Sequence, residues 1–242
     1  MQNAEQTLTE IASHILSRHP QLGAHALNAL AAGDADAATL LSNFADLKTW
    51  VQRQFDAPSP PFVKRARLLQ LGVPKATWVE TGTYLGQTTA LLASIAPKVY
   101  SVEPEPTLFF NARAALQHLP NVQLFHGTSE QVFPALLPQI AGDVNFWLDG
   151  HYSGGTTFQG PHDTPIMQEL DAIRDNIGHY QSVCVLIDDV RCFDPRQTAY
   201  STYPRVDTLV DWARQMRFHW SIEHDIFIAR SDAAARASAG PN

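Results

Sequence analysis

What the 242-residue sequence lacks bounds it first. It has only two cysteines, Cys184 and Cys192. Cys184 lies in an apolar run, where cysteine behaves as a small hydrophobe. Neither a disulfide framework nor a zinc motif is expected from so few at this spacing. Lysine and arginine form no run, and 17 of them against 24 acidic residues give a net charge of -7. A dedicated nucleic-acid or anionic-membrane binder needs a basic footprint, so neither partner is expected. No apolar run reaches membrane-spanning length. The first residues show no basic segment leading into an apolar core, as a signal peptide would. A soluble cytoplasmic protein is the expectation. No repeat appears at solenoid periods.

What is present is a hydrophobic content of 45% with 17% charged residues, which suits an ordinary globular chain. Leu8, Ile11, Ile15, Leu27, Leu30, Leu40, Phe44, Leu47 and Val51 recur at helical spacing. Residues 1–61 are therefore expected to form a helical appendage, covering the site or making a homodimer. The proline-rich stretch at 57–61 ends its helices. From about residue 76 short apolar runs at 77–80, 99–103, 122–126, 144–149 and 182–188 alternate with amphipathic stretches at 87–96, 107–118, 129–140 and 165–178. Such alternation predicts a mainly parallel sheet covered on both faces. After residue 190 come an irregular segment, a helix over 205–216, and a hairpin from 219–223 and 226–230. The expected fold is a Rossmann-like, doubly wound α/β domain over 62–231. Its seven-stranded, mainly parallel sheet carries an antiparallel C-terminal hairpin strand, and the tail 232–242 is expected to be disordered.

In an open parallel sheet, ligands bind beyond the carboxyl ends of the strands. Here every strand run ends in acids or hydroxyls. The first gives Glu80-Thr81-Gly82-Thr83-Tyr84-Leu85-Gly86-Gln87-Thr88, a strand, a glycine-bearing turn and a helix start. The second ends in Glu103-Pro104, about 20 residues on, where such sheets read ribose hydroxyls. The third runs into Gly127-Thr128-Ser129-Glu130, in which Thr128 or Ser129 is a natural helix cap. Gly82 and Gly86 fall short of the three-glycine dinucleotide fingerprint, which argues against a pyrophosphate over this turn. A nucleoside site without phosphate is the reading. Asp149, Asp188 and Asp189 end the fourth and fifth strands, and oxygen ligands so placed suit Mg²⁺; the alternative is that one of them pairs with Arg191 or Arg196. His151 is a candidate general base. The segment from Ser153 to Asp163, with three glycines, has the composition of a substrate lid.

These residues together resemble the class I S-adenosylmethionine-dependent methyltransferases over roughly residues 76–231. The resemblance implies S-adenosyl-L-methionine as cofactor, held by Glu80, Thr81, Gly82, Thr83, Tyr84, Gly86, Thr88, Glu103, Pro104, Gly127, Thr128, Ser129 and Asp149. The pair Asp188-Asp189 after Val185-Leu186-Ile187 is similar to the macrocin-type sugar O-methyltransferases. That implies Mg²⁺ on Asp149, Asp188 and Asp189, with Asp149 or His151 taking the proton from a small-molecule acceptor, a sugar or other hydroxyl compound. Two departures stand out. Thr83 occupies the place of a second glycine, and His151-Tyr152-Ser153-Gly154-Gly155 differs from the usual continuation. A metal-independent methyltransferase and a non-catalytic nucleoside-binding module are the rival readings.

Overall fold

A computed structural model describes residues 37–150 and 164–234. The chain divides between Gln70 and Leu71 into two compact units. In the first, α1 (Ala37–Gln52) and most of α2 (Pro61–Leu71) are helical. Leu47 and Trp50 of α1 pack with Phe62 and Val63 of α2. Trp50 also meets Phe55 edge to face at 5.0 Å. α1 already ends at Gln52, before the proline-rich linker, with Gln54 and Phe55 at positive φ, and the linker's last residue, Pro61, is the first of α2. Proline suits that position because its fixed φ is helical and the missing N–H would be unbonded there anyway. The apolar spacing alone does not predict α2, since Lys64, Arg65 and Arg67 interrupt it.

The second unit alternates strands and helices. In order they are β1 (Thr77–Thr81), α3 (Gln87–Ala93), β2 (Val99–Glu103), α4 (Pro106–Leu116), β3 (Val122–His126), α5 (Ser129–Leu136), β4 (Gly142–Leu148), α6 (Ile166–Asn176), β5 (Tyr180–Ile187), α7 (Val206–Gln215), β6 (His219–Glu223) and β7 (Ile226–Arg230). The sheet order is β3-β2-β1-β4-β5-β7-β6. The first five strands in that order are parallel, while β7 runs antiparallel to both β5 and β6. This is the seven-stranded, doubly wound architecture that the alternating runs predict.

Burial explains the arrangement. The central strands are apolar on both faces because helices cover both, and Val79, Val102, Val144, Phe146, Val185 and Phe227 all enter one core. The edge strand β3 is only half-buried. A two-residue turn joins β6 to β7, and both of its residues, His224 and Asp225, have positive φ (53° and 66°). That backbone matches the right-handed twist of a tight hairpin. Both cysteines are buried and reduced. Ala234 is fully buried, so the chain stays packed to that point, beyond the expected start of a disordered tail. Residues 1–36, 151–163 and 235–242 lie outside the described residues; with them lie His151 and the expected lid. Among the described residues no helix is long and apolar enough to cross a membrane.

Candidate ligand-binding site

The register brings the expected rim together. Thr81 pairs with Leu148, which pairs with Ile187. One step further, the Asp149 N–H donates to the Thr81 carbonyl at 3.1 Å and the Asp188 N–H to the Leu148 carbonyl at 3.0 Å. Asp149 and Asp188 therefore leave adjacent strands at the carboxyl edge.

The turn after β1 is built by close approach. Gly82 has φ +83°, and a Cβ there would lie 2.4 Å from the Asp149 carbonyl oxygen. Only glycine lets the two backbones come so near. The turn is then clamped to β2, since the Tyr84 N–H donates to Glu103 Oε2 at 2.8 Å. The other oxygen, Oε1, accepts the Glu105 N–H at 3.0 Å. Burial raises the Glu103 carboxyl above its ordinary value, and these two N–H groups oppose the rise. A carboxylate has about four acceptor positions, so two backbone donors leave capacity for a diol at the same place. Tyr84 itself, at φ 49° and 52% exposed, stands over the turn.

Thr83 has a physical role. Its hydroxyl is 2.6 Å from Ser101 Oγ. Ser101 in turn donates to Glu80 Oε2 at 2.6 Å, and Thr89 donates to the same oxygen at 2.5 Å. With the Ser101 proton given to Glu80, Thr83 is the donor in the first bond. A glycine at 83 would end this chain, so threonine there serves the buried carboxyl rather than a phosphate. Thr88, named from the sequence, is only half-buried, and its neighbour Thr89 is the residue that reaches inward. The sequence held a signal for Ser101, a lone polar residue in an apolar strand that pairs with Glu80. Thr89 and Glu169 had none.

Just past β3, the Gly127 N–H donates to the Glu103 carbonyl at 3.1 Å. Thr128 is the N-cap of α5, and its N–H is bonded by the Gln131 side chain at 3.1 Å. Ser129, the first helical residue, is buried, and Pro104 is half-buried between Glu103 and Glu105.

The metal expectation needs correction. The Asp189 carboxylate is paired with an arginine. Both of its carboxylate oxygens bond the Arg191 guanidinium, at 2.5 Å and 3.0 Å, and Arg191 also pairs with Asp225. Asp188 Oδ1 accepts the Asp189 N–H at 2.7 Å. Among the described residues no group of three His, Cys, Asp or Glu side chains is placed to hold a metal ion. Asp149, Asp188 and Asp189 thus do not fit Mg²⁺ as a trio: one carboxylate is already neutralised by a cation, which removes the repulsion that would recruit an ion.

Two further carboxyls do meet the rim. Glu80, fully buried on β1, and Glu169, 2% exposed on α6, are each raised to about 7, chiefly by burial. Asp149 adds repulsion to both. Glu80 Oε1, Thr81 Oγ1 and Glu169 Oε1 have no hydrogen-bond partner among the described residues. The Ser129 hydroxyl, by hydrogen bonding, and the nearby Thr81 hydroxyl oppose the rise at Glu169. Thr81 does so without closing a bond, since both its Oγ1 and Glu169 Oε1 stay unsatisfied. Unfolded, such acids titrate near 4.5, so folding raises their proton affinity. Their contribution to stability is complete below 4.5 and lost as pH rises through about 7. At full ionisation the loss is of the order of 3 kcal/mol per group. The melting temperature is expected to fall between about pH 5 and about pH 8, followed by circular dichroism; a rise over that window contradicts the assignment.

Glu103 thus keeps acceptor capacity beside the turn after β1, and Glu80 and Glu169 each keep one buried oxygen without a partner among the described residues. No family profile matches the chain. It is 41% identical over 73 residues to a protein-L-isoaspartate O-methyltransferase of Halorhodospira halophila, covering 29% of this chain and 33% of that protein. It is 33% identical over 84 residues to the Methylobacillus flagellatus protein of the same name, covering 33% of this chain and 38% of that one. The matches thus span little more than a third of those relatives. Among solved structures, the O-methyltransferase from Bacillus cereus in complex with SAH superposes with a TM-score of 0.52 at 13% identity, over 93% of this chain and 98% of that one. The chain shares the Rossmann-like fold of that methyltransferase.

Proposed function

We propose that the chain is an S-adenosyl-L-methionine-dependent methyltransferase acting on a hydroxyl of a small molecule, without a metal. The observation that carries this reading is the Glu103 clamp. A carboxylate at the end of β2 bonds the N–H of Tyr84 in the turn after β1, so one side chain joins the two loops that a nucleoside must touch. The local identity to two O-methyltransferases and the shared fold support the same reaction class.

In this reading Glu103 accepts from the ribose hydroxyls. The backbone from Thr81 to Gly86, fixed by the Gly82 approach to Asp149, holds the amino-acid end. Gly127, Thr128 and Ser129 border the base beside Pro104. S-adenosyl-L-methionine supplies an activated methyl group. Asp149, half-buried at the end of β4, orients the acceptor and takes its proton. His151 is the second candidate for that role. Alignment rather than ion chemistry carries most of the rate, and the rigid strand ends provide it. The sugar-specific, metal-dependent subgroup loses its support once Asp189 is committed to Arg191.

The test is calorimetry with S-adenosyl-L-methionine and with NAD, followed by methyl transfer to a panel of hydroxyl acceptors with and without chelator. Donor binding, silence with NAD and chelator-resistant turnover are expected. Glu103→Gln is expected to weaken the donor about 10- to 100-fold, as loss of charge-assisted hydrogen bonds does. Binding of NAD instead, or turnover abolished by chelation, overturns the corresponding part. Donor binding with no acceptor turned over favours a nucleoside-binding module.

A further inference from the structure

We propose that Glu169 makes this site selective for charge. With Glu80 and Asp149 it forms a subsite at the ends of β1 and β4 that holds a positively charged group, favouring a cationic sulfonium donor over the neutral thioether left after transfer. The inference rests on the methyl-transfer reading and deepens it.

The placement is specific. Glu169 lies in the first turn of α6 and points at the chain leaving β4; its Oε1 is 3.5 Å from where a Cβ on Gly150 would stand. The Thr81 hydroxyl is 3.1 Å from that same point. Thr81 and Glu80 are neighbours in β1, so their side chains leave opposite faces of the sheet. Glu80 and Glu169 therefore flank the strand end from two sides, and both feel the charge of Asp149. Glu130 on α5 adds a fourth acid facing Glu169, and Glu103 on β2 faces Glu80. Each buried carboxyl keeps one oxygen without a partner among the described residues. Leaving such groups unsatisfied is costly, and a cation brought near them relieves both the desolvation and the repulsion. Phosphate, a carboxylate or a neutral ring would not.

When a methyl group passes from sulfur to an acceptor oxygen, the carbon–sulfur bond breaks and its electron pair stays on sulfur. The carbon–oxygen bond forms, and the acceptor's proton goes to Asp149. The ligand remaining in the site has then lost its positive charge. A subsite tuned to that charge holds the donor more tightly than the product, so release follows from the chemistry itself. Glu80 Oε2 is tied by Ser101 and Thr89, and Glu169 is opposed in its rise by the Ser129 and Thr81 hydroxyls, while Oε1 of each stays without a partner among the described residues.

The test uses the full chain and its Glu169→Gln variant, titrated calorimetrically with S-adenosylmethionine and with S-adenosylhomocysteine at about pH 6 and about pH 8. The variant keeps the shape and removes the charge. It is expected to bind the sulfonium about tenfold more weakly and the thioether within about threefold of the unaltered protein, as expected for one partly screened carboxylate. The unaltered protein's preference for the sulfonium should grow from the lower to the higher pH more steeply than the variant's, in which Glu80 still titrates over this range. Retained thioether binding shows that the variant is folded. An equal loss for both ligands, or no loss for either, overturns the inference while leaving the methyl-transfer reading in place. If neither ligand binds the unaltered protein, the methyl-transfer reading fails and takes this inference with it.

Discussion

Gly82→Ala is expected to abolish measurable donor binding and to destabilise the fold by about 3 kcal/mol or more, because two penalties fall on one residue. The position has φ +83°, a left-handed conformation that an L side chain adopts at a cost of about 1 kcal/mol or more. The added methyl would also lie 2.4 Å from the Asp149 carbonyl oxygen and 2.9 Å from its carbon. Both of those atoms are backbone, so no rotamer change opens the space. Strands β1 and β4 must separate at the edge where the site is built, and a shift of about 1 Å in such a site costs roughly 100-fold in function. Gly86→Ala is the control. Its Cβ would meet Leu116 Cδ1 at 2.8 Å, the far end of a flexible side chain, so the neighbour yields and only the backbone strain at φ +79° remains. Thermal melts and donor calorimetry on both variants decide it. Donor affinity for Gly82→Ala within about threefold of the unaltered protein contradicts the role given to this contact.

Arg191→Ala is expected to lower stability by about 3 kcal/mol, near the lower end for breaking a buried charge pair because the arginine is itself partly exposed. The guanidinium bonds both oxygens of Asp189 and also Asp225, whose side chain is 2% exposed. Removing it leaves two nearly buried carboxylates facing each other in place of a neutralised cluster. The cluster also joins distant parts of the chain: the Arg191 N–H donates to Asp225 Oδ1 at 2.9 Å and the Val190 N–H to the Asp225 carbonyl at 3.0 Å. Asp225 belongs to the turn between β6 and β7, so the ion pair ties the hairpin to the exit of β5. For a chain of this size the loss corresponds to a fall of about 10 °C in melting temperature. Arg196→Ala provides the contrast. That arginine is 88% exposed in its pair with Asp194, and pairs of that kind contribute about 1 kcal/mol or less. Equal melting temperatures for the two variants would remove the distinction drawn between the buried and the surface pair.

The strand and helix order was legible because each carries its own period. Continuous apolar runs mark strands covered on both faces, and spacing of three to four marks the helices between them. The hairpin, the turn after β1 and Glu103 were likewise visible, since their residues lie close together along the chain or at a fixed offset. What failed to show was any relation between side chains set by the pleat and by packing. Asp188 and Asp189 are adjacent in sequence, which suggested a shared ligand. The left-handed backbone at Asp189, φ 56°, instead presents its carboxylate to Arg191. α2 was missed because its basic residues obscure the apolar spacing.

The sequence by itself determined the doubly wound sheet and the polar strand ends at which the proposed site lies, because hydrophobic periodicity and glycine backbone freedom are local properties. Tertiary structure alone decided which carboxylates are neutralised and which keep a buried oxygen without a partner among the described residues. It joined Thr83, Ser101, Glu80 and Thr89 in one chain of hydrogen bonds, withdrew Asp189 into an ion pair, and brought Glu169 from a helix 20 residues beyond Asp149 to the end of β1. The charge state of a buried acid depends on what surrounds it in three dimensions, and residues far apart in the chain supply those surroundings.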